Sequence, residues 1–221
     1  MFWRRVLLAL LVTCVVVMSG CATGPLTKHP DSGKWQAVLA DDLSNCTFKE
    51  GSWTYEDGVL TRNGGGDIWT KQRYGDFILD LEFKVAEGTN SGVFIRTDDI
   101  EQWLHTGIEI QIYDSYGREE PGKHDCGAVY DVQEPSVNAV KEAGQWNRMS
   151  IKAEGAKISI VMNGQQIIDI DLNDWPEAHK NPDGTDNKFN IAYSKMARDG
   201  VFGFQDHGKP VWYRNIRVKK L

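Results

Sequence analysis

Cysteine is scarce in this 221-residue chain, four in all, and none forms a Cys-x-x-Cys pair or stands beside a pair of histidines, so a structural zinc site is a poor reading. Helical periodicity is also missing. No stretch of ten or more residues carries a convincing apolar stripe at helical spacing, and the best candidates, around 137–143 and 175–179, are short. There is no internal repeat, which argues against a propeller or solenoid. Positive charge is in deficit, with 25 Lys and Arg against 31 Asp and Glu, so a nucleic-acid or anionic-membrane surface is excluded as the main function. No composition break divides the chain, and the length suits one large all-β domain.

The one long apolar run, residues 6–17, is too short for a comfortable membrane span and follows Arg4 and Arg5. It ends in Met18-Ser19-Gly20-Cys21, which resembles a bacterial lipoprotein cleavage site with Met18 in place of the usual Leu. The expectation is a signal peptide over 1–20, lipidation of Cys21 and a flexible tether over 21–34, with an ordinary secretory signal as the alternative. Ala22 after the cysteine, with no Asp there, suits an outer-membrane anchor, hence a cell-envelope location facing the periplasm or the surface. Cleavage leaves 23 basic and 31 acidic side chains. Cys14 leaves with the signal, so Cys46 and Cys126 remain, and in an oxidising envelope a disulfide between them is the simplest reading.

From Trp35 onward nearly every apolar run has period two, the mark of strands with one buried face. Strands are expected over 77–85, 90–96, 106–114, 151–153, 157–162, 165–172, 189–193, 201–204 and 211–218. Glu56-Asp57-Gly58 and Asn163-Gly164 mark tight hairpins. Many strands and eight tryptophans predict an all-β antiparallel two-sheet jelly-roll sandwich of concanavalin A-like type, one sheet concave, forming the domain 35–221. Its most informative strand is Thr106-Gly-Ile-Glu-Ile-Gln-Ile-Tyr-Asp114. Ile108, Ile110 and Ile112 point one way, Glu109, Gln111 and Tyr113 the other, and that polar face suits a hydroxyl-rich ligand.

Several segments, taken in order, are similar to the 3-keto-disaccharide hydrolase family, also described as 3-keto-glucoside 1,2-lyase/3-keto-2-hydroxy-glucal hydratase domains. They are Tyr74-Gly75-Asp76-Phe77, Leu81-Glu82-Phe83, Asn90-Ser91-Gly92-Val93 with Arg96, Gly107 to Asp114, Cys126-Gly127-Ala128-Val129-Tyr130 and Gly144-Gln145-Trp146-Asn147. Asn163-Gly164, Gly203-Phe204-Gln205-Asp206-His207-Gly208 and Tyr213-Arg214-Asn215-Ile216-Arg217 complete the set. Cys46 stands where the family usually has Trp and Cys126 where it often has Thr, departures that agree with pairing the two thiols. The resemblance implies cleavage of a glycosidic bond in a sugar already oxidised at C3. An upstream glycoside 3-oxidoreductase would supply that substrate.

A C3 ketone acidifies C2–H, because the carbanion is delocalised as an enolate. Elimination of the C1 substituent and rehydration then give net hydrolysis. The route needs a base, an acid for the departing oxygen and positive charge at the C3 oxygen, not a facing carboxylate pair. Glu109 is the candidate base or metal ligand, its alternative being a surface carboxylate paired with Arg96. Arg96 itself would clamp Glu109 or polarise the ketone, and His207 is the candidate proton carrier or metal ligand. Gln111, Asp114, His124, Tyr130 and Gln205 are candidate substrate contacts. Glu109, Asp114, His124 and His207 together would hold a divalent cation as Lewis acid, although nothing in their spacing demands one. No nucleotide cofactor is expected. The competing reading is a non-catalytic, lectin-like carbohydrate-binding envelope protein on the same concave sheet.

Overall fold

The computed structural model describes residues 24–221, so the expected signal peptide and Cys21 lie outside the described residues. In chain order the strands are β1 (Gln36–Ala37), β2 (Cys46–Thr47), β3 (Trp53–Glu56), β4 (Val59–Arg62), β5 (Ile68–Tyr74), β6 (Phe77–Val85) and β7 (Asn90–Thr97). A 3-10 turn (Ile100–Gln102) and a one-turn helix α1 (Trp103–Thr106) follow, then β8 (Ile108–Tyr113), β9 (Asn147–Glu154), β10 (Lys157–Met162), β11 (Gln165–Asp171), β12 (Gly200–Phe204) and β13 (Val211–Lys220).

Two antiparallel sheets face each other, as the jelly-roll expectation required. The larger runs β11-β10-β9-β6-β13-β4-β3, with β1 pairing on β13; the smaller runs β2-β5-β12-β7-β8. Both expected hairpins form. Asp57 and Gly58 join β3 to β4, and Asn163 and Gly164 join β10 to β11, each pair with two successive positive φ values, the geometry that matches strand twist. Alternating apolar side chains fill the interior: Leu79, Leu81 and Phe83 of β6 share one fully buried cluster with Ile108, Ile110 and Ile112 of β8.

Two expectations, a strand over 189–193 and a free tether, are not met, and one strand went unread. β5 was not legible, because a register shift against β12 breaks its alternation, with Ile68, Trp69 and Thr70 buried in succession. Residues 189–193 form no strand; a 3-10 turn (Tyr193–Lys195) begins there instead, and residues 137–143 are not helical. The expected tether is docked. Pro30 O accepts from Arg148 Nη2 at 2.7 Å, Leu26 N–H donates to Ser159 Oγ at 2.8 Å, and the Ser32 hydroxyl donates to Asp80. The outer face of the large sheet carries the buried polar side chains Asp80, Ser150, Lys152 and Ser159, and residues 24–33 supply polar partners for them.

Cys46 and Cys126 are both free and buried. Cys46 sits on β2 at one edge of the five-stranded sheet. Cys126 precedes a segment that bonds to β8 at the opposite edge, where Gly127 N–H donates to Gln111 O at 2.8 Å. The intervening strands separate the thiols by on the order of 20 Å, whereas a disulfide needs Cα atoms within about 7 Å. Burial pushes the Cys46 thiol up to about 11 and the Cys126 thiol up to about 12, so both stay protonated.

Candidate active site

The concave face of the five-stranded sheet is organised in cross-strand rows. In one row Trp69 of β5 lies opposite Gly203 of β12, Gly203 opposite Phe94 of β7, and Phe94 opposite Glu109 of β8. In the next, Gln205 N–H donates to Gly92 O at 2.9 Å and Gly92 pairs with Gln111. The sheet is extended past β8 by residues 127–130, where Tyr130 N–H donates to Glu109 O at 3.0 Å. Parity therefore carries Glu109, Gln111 and Gln205 onto one face, with Ile110 and Phe204 behind them in the core.

These residues line a cleft of about 140 Å³ together with Asn90, Trp103, Leu104, Tyr130, Lys188 and His207. Glu109 is its best-enclosed charged group, 6 % exposed. The carboxylate leans over Gly92, where an added Cβ would meet it, with Glu109 Cγ only 2.9 Å away. Burial first, then the Asp67 carboxylate, push Glu109 up to about 8; Lys188 and a hydrogen bond from Gln205 oppose the rise. Gln111 spends its amide nitrogen on Asn90 Oδ1 at 2.9 Å, which fixes the amide against β7. The carbonyl oxygens of Gln111 and Gln205 have no protein partner.

Lys188 and Asp67 both act on the carboxylate. Lys188 Nζ donates to Tyr130 Oη at 3.0 Å and lies 4.3 Å from the centre of that ring. Asp67, whose own carboxyl is raised mainly by burial, accepts from Asp206 N–H at 2.7 Å and feels the charge of His207. Asp206 in turn accepts from Gly65 and Gly66 amides at 2.7 and 2.9 Å and from Arg62, pinning the segment that carries His207 to the rim. His207 itself is exposed there.

Five sequence candidates are thus brought together: Glu109, Gln111, Tyr130, Gln205 and His207. Three are not. Arg96 is fully buried and donates to Gly75 O, Gly155 O and Asp76 Oδ1 at 3.0, 2.7 and 2.9 Å. After Asn90, Gly92 and Phe94 it is next in parity for the concave face. A bulge overrides that: between the paired positions β7 has two residues, Ile95 and Arg96, where β12 has one, Phe202, and Arg96 takes φ 52° and turns inward. Asp114 shares parity with the buried isoleucines rather than with Glu109, and its carboxylate accepts from Gly88 N–H at 2.7 Å. His124 stands outside the cleft, 62 % exposed, with its ring 4.7 Å from that of Tyr130 and bonded to Asp131 at 2.8 Å. The four proposed metal ligands do not converge, and among the described residues no group of three or more His, Cys, Asp or Glu side chains is placed to hold a metal ion.

Sequence reasoning missed Lys188, Trp103 and Asp67. Lys188 and Trp103 lie in connecting segments with no pleat to orient them, and Asp67 immediately precedes the unrecognised β5.

Comparison with known proteins agrees with this architecture. Residues 32–219 match the model of the 3-keto-alpha-glucoside-1,2-lyase-like domain. A 3-keto-disaccharide hydrolase of Bacteroides thetaiotaomicron is 26 % identical over 203 residues, covering 76 % of this chain and 70 % of the relative. The crystal structure of a candidate glycosyl hydrolase from Parabacteroides distasonis superposes with a TM-score of 0.80 at 35 % identity, over 85 % of this chain and all of the other. A carbohydrate-binding module of Bacillus subtilis shares the fold alone, with a TM-score of 0.53 at 14 % identity over 82 % of this chain and 99 % of the module. The two facing sheets and a match spanning nearly all the described residues lead to one conclusion: this chain belongs to the 3-keto-alpha-glucoside-1,2-lyase-like domain family.

Proposed function

We propose that the protein cleaves the glycosidic bond of a 3-keto-glucoside or 3-keto-disaccharide by elimination and rehydration, with Glu109 as the base. The carrying observation is the Glu109 carboxylate itself, enclosed in the cleft beside Gln205 and held near a pKa of about 8. At neutral pH about a tenth of it is ionised, and that fraction is a stronger base than a solvated glutamate, matched to the modest acidity of a C–H next to a ketone.

Glu109 takes the proton from C2, and the electron pair moves to the C3 oxygen as an enolate. Lys188 lies across the cleft and supplies the positive charge for that oxygen, the part that Arg96 cannot play from inside the core. The enolate then re-forms its carbonyl as the C1–O bond breaks, and His207 on the rim protonates the departing oxygen. Water then adds to C1, giving its proton to His207, while C2 recovers its proton from Glu109, so the net change is hydrolysis and both groups are restored. Gln111 and Gln205, held by Asn90 and by the β7 backbone, are placed to bind ring hydroxyls. On this reading the substrate comes from a glycoside 3-oxidoreductase, and a lipidated Cys21, exposed by removal of the signal peptide, holds the enzyme at the cell envelope.

The test is incubation with a 3-keto-glucoside and with its unoxidised parent, following aglycone release. Release from the keto compound alone, lost in Glu109→Gln and lowered at least a hundredfold in Lys188→Met, is the expected result. Binding of the sugar without turnover would replace the reaction with a lectin-like role.

A further inference from the structure

Beside Glu109, Tyr130 and Lys188, the cleft has two unlike walls. On one side lie Gln111, Gln205, Asn90 and His207, all polar. On the other, in the row that Glu109 shares, Phe94 stacks on Trp69 with ring centres 5.2 Å apart, and Trp103 caps Phe94 at 5.0 Å. Val201 and Ile100 complete this apolar cluster. Its shape is fixed by Gly203, where an added Cβ would run into the Trp69 ring. The wall is brought over the sheet by the insertion between β7 and β8, which Thr106 ties down by donating to Asp99 O at 2.9 Å and Gln102 O at 3.1 Å. Trp103 and Leu104, half-buried, present that wall to the cleft.

We infer that Trp103 and Leu104 form an apolar subsite for the departing group, and that the protein prefers 3-keto-glucosides with an aromatic or alkyl aglycone over 3-keto-disaccharides. The inference rests on the reaction proposed above and adds the substrate class. A cleft of about 140 Å³ has room for roughly one sugar ring, so the C1 substituent extends beyond it. The ring hydroxyls need hydrogen-bond partners, and the amides of Gln111 and Gln205 with Asn90 and His207 supply them on one side only. With the ring placed there and Glu109 at C2, the neighbouring C1 substituent faces Trp103 and Leu104. A glucosyl group there would set hydroxyls against Leu104 and the Trp103 ring, a wall whose side chains offer them no hydrogen-bond acceptor. A hydroxyl set against carbon loses a hydrogen bond that water gave it, while an apolar aglycone gains by burial.

The experiment compares a phenyl 3-keto-glucoside with a 3-keto-disaccharide of the same anomeric configuration, using the full chain, Trp103→Leu and Leu104→Ser. The expected result is a kcat/KM ratio of ten or more for phenyl over glucosyl in the wild type. It should fall below three in Leu104→Ser, through a rise in KM for the phenyl substrate. Trp103→Leu should act in the same direction, and circular dichroism verifies that each variant is folded. Equal or better turnover of the disaccharide by the wild type overturns the inference, as does an equal loss on both substrates in the variants. If neither substrate is cleaved, binding of phenyl glucoside is measured against that of a glucose disaccharide. A phenyl preference that Leu104→Ser removes would keep the subsite and remove the reaction; no preference would remove both.

Discussion

Gly92 and Glu109 share one volume: the carboxylate of Glu109 lies where a side chain on the facing strand would otherwise be. Gly92 is buried in β7 and pairs with Gln111, so the vacancy is a feature of the strand interior, not of a turn. Gly92→Ala is therefore expected to expel the carboxylate from its seat. Steady-state kinetics should show kcat down at least a hundredfold, with a stability loss of about 1–3 kcal/mol from overpacking.

The raised Glu109 pKa sets two pH dependences. Activity should climb as pH rises, with an acid limb in kcat/KM near 8, because the ionised form is the base. For stability the sign is opposite. The folded state holds the proton more tightly than the unfolded chain, so the contribution is fully present below the ordinary value of 4.5 and is lost as pH rises through about 8. Thermal unfolding at pH 9 should find Glu109→Gln more stable than the wild type, by on the order of 1–3 kcal/mol.

Arg96 and Lys188 should separate stability from chemistry. Arg96→Met leaves two carbonyls and the Asp76 carboxylate without their buried partner, and denaturant titration should show a loss of about 3 kcal/mol with kcat per folded molecule little changed. Lys188→Met should give the reverse pattern, since Lys188 is exposed on the rim: kcat down at least a hundredfold and stability within about 0.5 kcal/mol.

Residues 24–33 should loosen in acid. Gly164 N–H donates to His29 Nε2 at 3.0 Å, which requires a neutral ring whose other nitrogen, Nδ1, donates to Ser150 Oγ at 2.7 Å. Burial and then the Arg148 guanidinium hold His29 below its ordinary 6.5, against the raising effect of Asp80. Docking is thus intact above about 6.5 and weakens as pH falls through the lowered value. Hydrogen exchange at the Gly164 amide, corrected for intrinsic rate, should accelerate in acid in the wild type and lose that dependence in His29→Gln.

The two cysteines should titrate as free thiols. A thiol reagent added to the native protein should react with neither Cys46 nor Cys126, both should react after denaturation, and reductant should leave the melting temperature unchanged.

The sequence by itself determined the sandwich and one wall of the cleft. Side-chain parity is local: once 108–113 is a strand with its isoleucines inward, Glu109 and Gln111 must face the other way, and the same rule carries Gln205 from β12. Asn163-Gly164 and Asp57-Gly58 fixed their hairpins for the same reason, since backbone preference acts over two residues. Tertiary structure decided what no local rule reaches. One extra residue in β7 against β12 turned Arg96 from the cleft into the core. The width of a five-stranded sheet kept Cys46 from Cys126, and the polar outer face of the large sheet drew the supposed tether onto it. Lys188 and Trp103 reached the cleft on connecting segments, whose direction is set by packing against distant strands and not by any periodicity of their own.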